Sequence, residues 1–114
     1  MRHIFMCDEM IKLRNKLTDM GIDWVDRSTV LTDEHLEHLS KIGIDSQYAD
    51  TSMYRTSFTY NGIKFSVING YGSYGGYDPE TGVNEDMLEM LNSKDNDVTG
   101  WLTAEDIIKF MYNN

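Results

Sequence analysis

Met53-Tyr-Arg-Thr-Ser-Phe-Thr-Tyr60, Asn61-Gly62 and Ile63-Lys-Phe-Ser-Val-Ile-Asn69 make up the stretch on which the fold depends. Asn-Gly between two β-rich runs is the strongest short-range hairpin signal, because both central positions of the tight turn need positive φ. Arg55, Ser57 and Thr59 alternate with Tyr54, Thr56, Phe58 and Tyr60. Ile63, Phe65, Val67 and Asn69 alternate with Lys64, Ser66 and Ile68. A period of two places one set on a buried face and the other on the opposite face.

Helical patterns lie on both sides of the hairpin. Residues 8–20 repeat Met10, Leu13, Leu17 and Met20 at three- and four-residue spacing, and Gly21 supplies a stop. Ile22, Trp24 and Asp26 alternate with Asp23, Val25 and Arg27, which predicts a short strand with Trp24 in the core. Thr32 is a good N-cap for a helix with Leu36, Leu39 and Ile42 on its apolar stripe, ended by Gly43. Downstream, residues 84–92 and 103–112 read as two more helices. The first would bury Met87, Leu88 and Leu91. The second would start at Thr103, with Asp106 at capping-box spacing, and bury Ile107, Ile108 and Met111. The expected architecture is α+β: a small antiparallel sheet built on the 53–69 hairpin, packed by about four helices in one domain.

The 114 residues suffice for one modest core, burying about 65% of the surface of the unfolded chain. Asp and Glu number 19 against 10 Lys and Arg, a formal charge of −9. Nonspecific nucleic-acid or anionic-membrane binding depends on Lys and Arg, so this balance argues against both. Cys7 is the single cysteine, which excludes a disulfide scaffold. No apolar run has the length of a signal peptide or a membrane span, and an intracellular location is expected.

The charge is uneven. Residues 51–77 contain no Asp or Glu, and hold Arg55, Lys64 and five of the seven tyrosines. Residues 78–114 carry nine acids against Lys94 and Lys109. Within the acid-free zone lies Gly70-Tyr71-Gly72-Ser73-Tyr74-Gly75-Gly76-Tyr77. Glycines allow backbone amides to approach a ligand and form anion-binding concavities. Tyrosines add flat apolar faces and a hydroxyl. Tyr71, Gly72, Ser73, Tyr74, Gly75 and Gly76, with Arg55 or Lys64 for phosphate, are therefore the candidate ligand residues. A nucleotide-type ligand fits this chemistry, and so does a protein partner. The spacing matches neither a Walker loop nor the dinucleotide fingerprint.

Residues 95–106 resemble an EF-hand calcium loop. Asp95, Asp97 and Thr99 fall at positions 1, 3 and 5, and Gly100 at the sharp turn. Trp101 would offer its carbonyl at position 7, and Asp106 would stand where the EF-hand has Glu. Calcium is the one cofactor that the sequence suggests. The competing reading is a polar turn before a helix capped by Thr103.

His35 and His38 share a helix face, but only His3 and Cys7 remain to complete a metal site. Ser73 lacks the nucleophile-elbow spacing, and no carboxylate pair is placed for acid–base work, so an enzyme is not expected. Phe65-Ser-Val-Ile-Asn-Gly-Tyr-Gly-Ser-Tyr-Gly-Gly, followed by Gly100-Trp-Leu-Thr-Ala, resembles small uncharacterised phage and mobile-element proteins of Gram-positive bacteria. The resemblance implies a non-enzymatic phage accessory protein in the host cytoplasm. Such a protein would block a host defence component, by binding a host protein or by sequestering a nucleotide signal. A calcium-binding module and a structural homo-oligomer are the alternatives.

Overall fold

The computed structural model describes residues 4–43 and 50–114. The elements in chain order are α1 (Asp8–Asp19), β1 (Trp24–Asp26), α2 (Asp33–Lys41), β2 (Met53–Tyr60), β3 (Ile63–Gly70), β4 (Tyr77–Asp78), β5 (Val83–Asn84), β6 (Leu88–Asn92), β7 (Val98–Leu102) and α3 (Ala104–Tyr112). Five strands form one antiparallel sheet in the order β1-β2-β3-β6-β7, and β4 pairs with β5 in a separate ribbon. The architecture is α+β, as expected, with three helices among the described residues.

The hairpin forms as the sequence predicts. Tyr60 pairs with Ile63, and Asn61 and Gly62 turn the chain at φ of 49° and 77°. The even positions of β2 and the odd positions of β3 face the helices. Phe58 and Phe65, direct cross-strand partners, stack with centroids 4.7 Å apart. Met10, Leu13 and Leu17 of α1 and Ala104, Ile107 and Met111 of α3 close the core over Phe58, Phe65, Val67, Leu88 and Met90.

The caps follow the sequence closely. Thr32 and Thr103 each accept from the backbone N–H three residues on, and their partners His35 and Asp106 reach back to complete capping boxes. Buried Leu36 lies on the predicted stripe of α2, whereas Ile42 is exposed.

Residues 84–92 do not form the expected helix. Leu88, Met90 and Asn92 are buried on alternate positions, and Val67 faces Met90 across β3 and β6. The buried side chain is thus Met90, and Leu91 is exposed. Asn92 is polar yet buried, because its Oδ1 accepts the backbone N–H groups of Lys94 and Asp95 and builds the next turn. That side chain conceals a period of two behind an apparent helical spacing.

The two sheet faces differ in cover. Helices α1 and α3 pack on the face that carries Phe58 and Val67. The opposite face presents Val25, Arg55, Lys64, Leu91 and Val98 to solvent. No helix of the described residues is long and apolar enough to cross a membrane.

Candidate functional site

The Gly/Tyr loop leaves the end of β3 and folds tightly on itself. Gly70 donates its N–H to Ser73 Oγ (3.0 Å), and the same hydroxyl donates to Gly70 O (3.1 Å). Ser73 is therefore a turn residue. Gly72 N–H reaches Tyr77 O (2.8 Å), Gly76 N–H reaches Ser73 O (3.0 Å), and Tyr71 N–H reaches Ser52 O (3.1 Å). Gly76 is required by packing, because a Cβ there would collide with Ser73 Oγ and Gly70 O. Tyr71 and Tyr77 stack with centroids 6.2 Å apart.

One more amide of the loop already holds an anion. Tyr74 N–H donates to the Glu89 carboxylate at 2.9 Å, and Glu89 comes from β6. Most of the loop N–H groups are thus already hydrogen-bonded within the fold. The hollow beside them measures about 210 Å³ and is lined in part by Asp78 and Glu85. That volume is below the roughly 300 Å³ at which small-molecule pockets begin, and the two carboxylates oppose a phosphate.

The two segments singled out in the sequence meet here. Tyr74 stacks on Trp101 of β7, with centroids 5.6 Å apart and planes 19° apart. Trp101 donates its N–H to Tyr74 O at 3.3 Å. Gly100 lies under the tyrosine, and a Cβ there would strike Tyr74. Trp101 has φ of 54°, in the left-handed region that bulky residues rarely enter. The strain coincides with a bulge in β7, where three steps from Thr99 to Leu102 oppose two from Met90 to Leu88 of β6. The stack remains open to solvent, with Tyr74 55% and Trp101 52% exposed. Strained residues that persist are held by their surroundings and concentrate at working surfaces.

Arg55 lies near this loop, two positions along β2 from Met53, the cross-strand partner of Gly70. Lys64 lies at the other end of β3, six residues from Gly70 and so about 20 Å away. The loop residues Gly72, Ser73, Tyr74, Gly75 and Gly76 line one hollow; Arg55 stands two strand positions from Gly70 and does not line it, and Lys64 lies apart.

Residues 95–106 do not form a helix–loop–helix. Strand β6 precedes the turn, and β7 runs through Thr99 and Trp101. Asp95 accepts Asp97 N–H (2.9 Å) in that turn. Asp106 accepts Thr103 N–H (2.9 Å) in the first turn of α3. Of the groups assigned to calcium, the Asp95 and Asp106 carboxylates are engaged in turn and cap hydrogen bonds. Among the described residues, no group of three or more His, Cys, Asp or Glu side chains is placed to hold a metal ion.

In the sequence Trp101 reads as a backbone-carbonyl ligand of a calcium loop, with nothing local to pair it with Tyr74. Gly100 before Trp101 was the available signal, since a glycine in a strand marks close backbone approach. Cys7 is buried beside α1, and burial pushes its thiol up from the ordinary range, which disfavours a nucleophilic thiolate. Comparison with protein-family profiles, with curated proteins and with solved structures finds no match to this chain.

Proposed function

We propose that this chain is a non-enzymatic binding protein that docks on a host protein and blocks it. In the phage setting that the resemblance implies, the blocked partner is a host defence component. The observation that carries the reading is the exposed, strained Tyr74–Trp101 stack. Large aromatic side chains give much contact area for little lost conformational freedom, and they dominate binding hot spots. Here the ring pair is positioned in advance by Gly100, by the Trp101 N–H bond and by Glu89 beneath Tyr74. Docking then needs little further ordering.

Nucleotide sequestration is the weaker version of the reading, because most loop amides are already hydrogen-bonded and acids line the small hollow. Calorimetry with cyclic dinucleotides and ADP-ribose-type compounds distinguishes the two. No saturable heat is expected. Retention of one host protein by the wild-type chain, and its loss with Tyr74→Ala and Trp101→Ala together, is the expected positive result. Saturable nucleotide heat abolished by Tyr74→Ala would replace blockade with sequestration.

A further inference from the structure

The sheet face opposite α1 and α3 has an order that can be read strand by strand from its register. One row runs Val25, Ser57, Ser66, Leu91 and Val98, each residue the direct partner of the next. Its ends are apolar and exposed, and its centre is two small hydroxyls. Four inter-strand spacings of about 4.8 Å make this trough about 19 Å long.

The neighbouring row supplies charge. Arg55 faces Ile68 across β2 and β3. Arg27 donates its backbone N–H to Arg55 O (3.0 Å), one step beyond the pair Asp26 and Thr56. The two arginines therefore stand side by side, and like charges directly opposite one another are destabilising in a sheet. Lys64 adds a third cation on the other side of the trough. Among the described residues, no carboxylate forms an ion pair with Arg27, Arg55 or Lys64. Glu89, on the same face, is bound to Tyr74 N–H. Asp23, exposed just before β1, also lines the trough, so three unpaired cations and one acid surround it in a protein whose net charge is −9.

We infer that this face is a docking surface for an acidic segment of a partner protein that also carries apolar side chains. Its apolar residues would rest on Val25 and on Leu91 with Val98, and its carboxylates would meet Arg27, Arg55 and Lys64. The inference names the partner chemistry for the protein-binding reading above and rests on it. Complementary charge mainly sets specificity and on-rate, while the apolar ends supply contact area.

The probe is a peptide of about 14 residues alternating Glu with Leu, compared with the same peptide carrying Lys in place of Glu, both titrated by calorimetry into the full chain. The acidic peptide should bind saturably and the basic one should not. Arg27→Glu with Arg55→Glu should weaken binding at least tenfold, and so should Leu91→Ser with Val98→Ser. All four positions are exposed, and circular dichroism checks that the variants remain folded. Equal binding of both peptides, or none up to millimolar concentration, overturns the inference. Inorganic polyphosphate binding that is indifferent to Leu91 and Val98 overturns it in favour of a simple anion site. Self-association lost in the Leu91→Ser, Val98→Ser chain overturns it in favour of a second copy. A host protein whose capture needs Tyr74 and Trp101 but is unaffected by Arg27→Glu and Arg55→Glu leaves the docking reading standing and removes this one.

Discussion

Arg14 shows how a charge is buried in this fold without being orphaned. It lies on α1, buried, with Nε donating to Thr56 Oγ1 (2.7 Å) and Nη2 to Asp26 Oδ1 (3.1 Å) and Arg55 O (3.2 Å). Its guanidinium also sits 4.7 Å over the Trp24 ring. One side chain thereby ties helix, edge strand and hairpin together. Asp26 is held below the ordinary carboxylate range, chiefly by hydrogen bonds from Ser28 and then by Arg14. Glu9 is lowered likewise, first by the N–H of Ala104 and then by Lys12, and it links α1 to the start of α3. A carboxylate with a depressed folded pKa stabilises fully above its unfolded value, near pH 4, and that stabilisation is lost as pH falls through the lower folded value. Urea midpoints should therefore hold from pH 7 to about pH 5 and decline below about pH 4. The Glu9→Gln, Asp26→Asn chain should start lower at pH 7 and decline less steeply in acid. Parallel curves for the two chains would show that neither carboxylate is anchored as described.

Strand β6 makes the sharpest demand on energetics at the level of elements. Met90 is buried against Val67, whereas its neighbour Leu91 is exposed on the other face. Met90→Ala should cost about 2–4 kcal/mol in denaturant unfolding, and Leu91→Ala within about 0.5 kcal/mol. A helix over the same residues would reverse that order. The hairpin, β1, α1, α2 and α3 were legible because their apolar residues recur at one clear period and their turn or cap residues agree with it. Residues 84–92 were not, because Met87, Leu88 and Leu91 mimic a helical stripe while buried Asn92 breaks the strand alternation. Buried Asn69 belongs to the same group of hidden determinants, since it exchanges side-chain amide bonds with Asn84 and donates to Met87 O. Such pairings depend on long-range contacts that no local window contains. Of the Tyr74–Trp101 stack, the sequence marks Tyr74 as a ligand candidate but reads Gly100 and Trp101 as parts of a calcium loop, because their meeting requires the β6–β7 ribbon.

As a whole, the molecule is longer than it is wide, 48 × 23 × 22 Å, with a radius of gyration of 15.0 Å. A compact chain of this length would have about 13 Å. The elongation spreads nine net negative charges, yet 19 acids on a 13.2 kDa body still repel one another. Salt shortens the reach of that repulsion to about 3 Å at 1 M. Raising sodium chloride from about 0.02 M to about 0.5 M should therefore lift the thermal midpoint by about 3 °C, read by circular dichroism. A midpoint that falls with salt would mean that paired charges such as Arg14 with Asp26 outweigh the net repulsion. The acid-free segment 51–77 becomes, in space, the centre of the sheet, so the least charged part of the sequence carries the most open face.

The positions of the two tryptophans make the molecule its own optical instrument. Trp24 lies under the Arg14 clasp, half-buried, with Nε1 donating to Thr18 Oγ1. Trp101 stands half in solvent on Tyr74. A chain keeping only Trp24, through Trp101→Phe, emits a signal that follows unfolding of the helix-covered half. A chain keeping only Trp101, through Trp24→Phe, emits one that shifts to the blue when a partner dries the stack. Folding and docking can thus be followed as two separate colours from two single-tryptophan chains, with no dye attached.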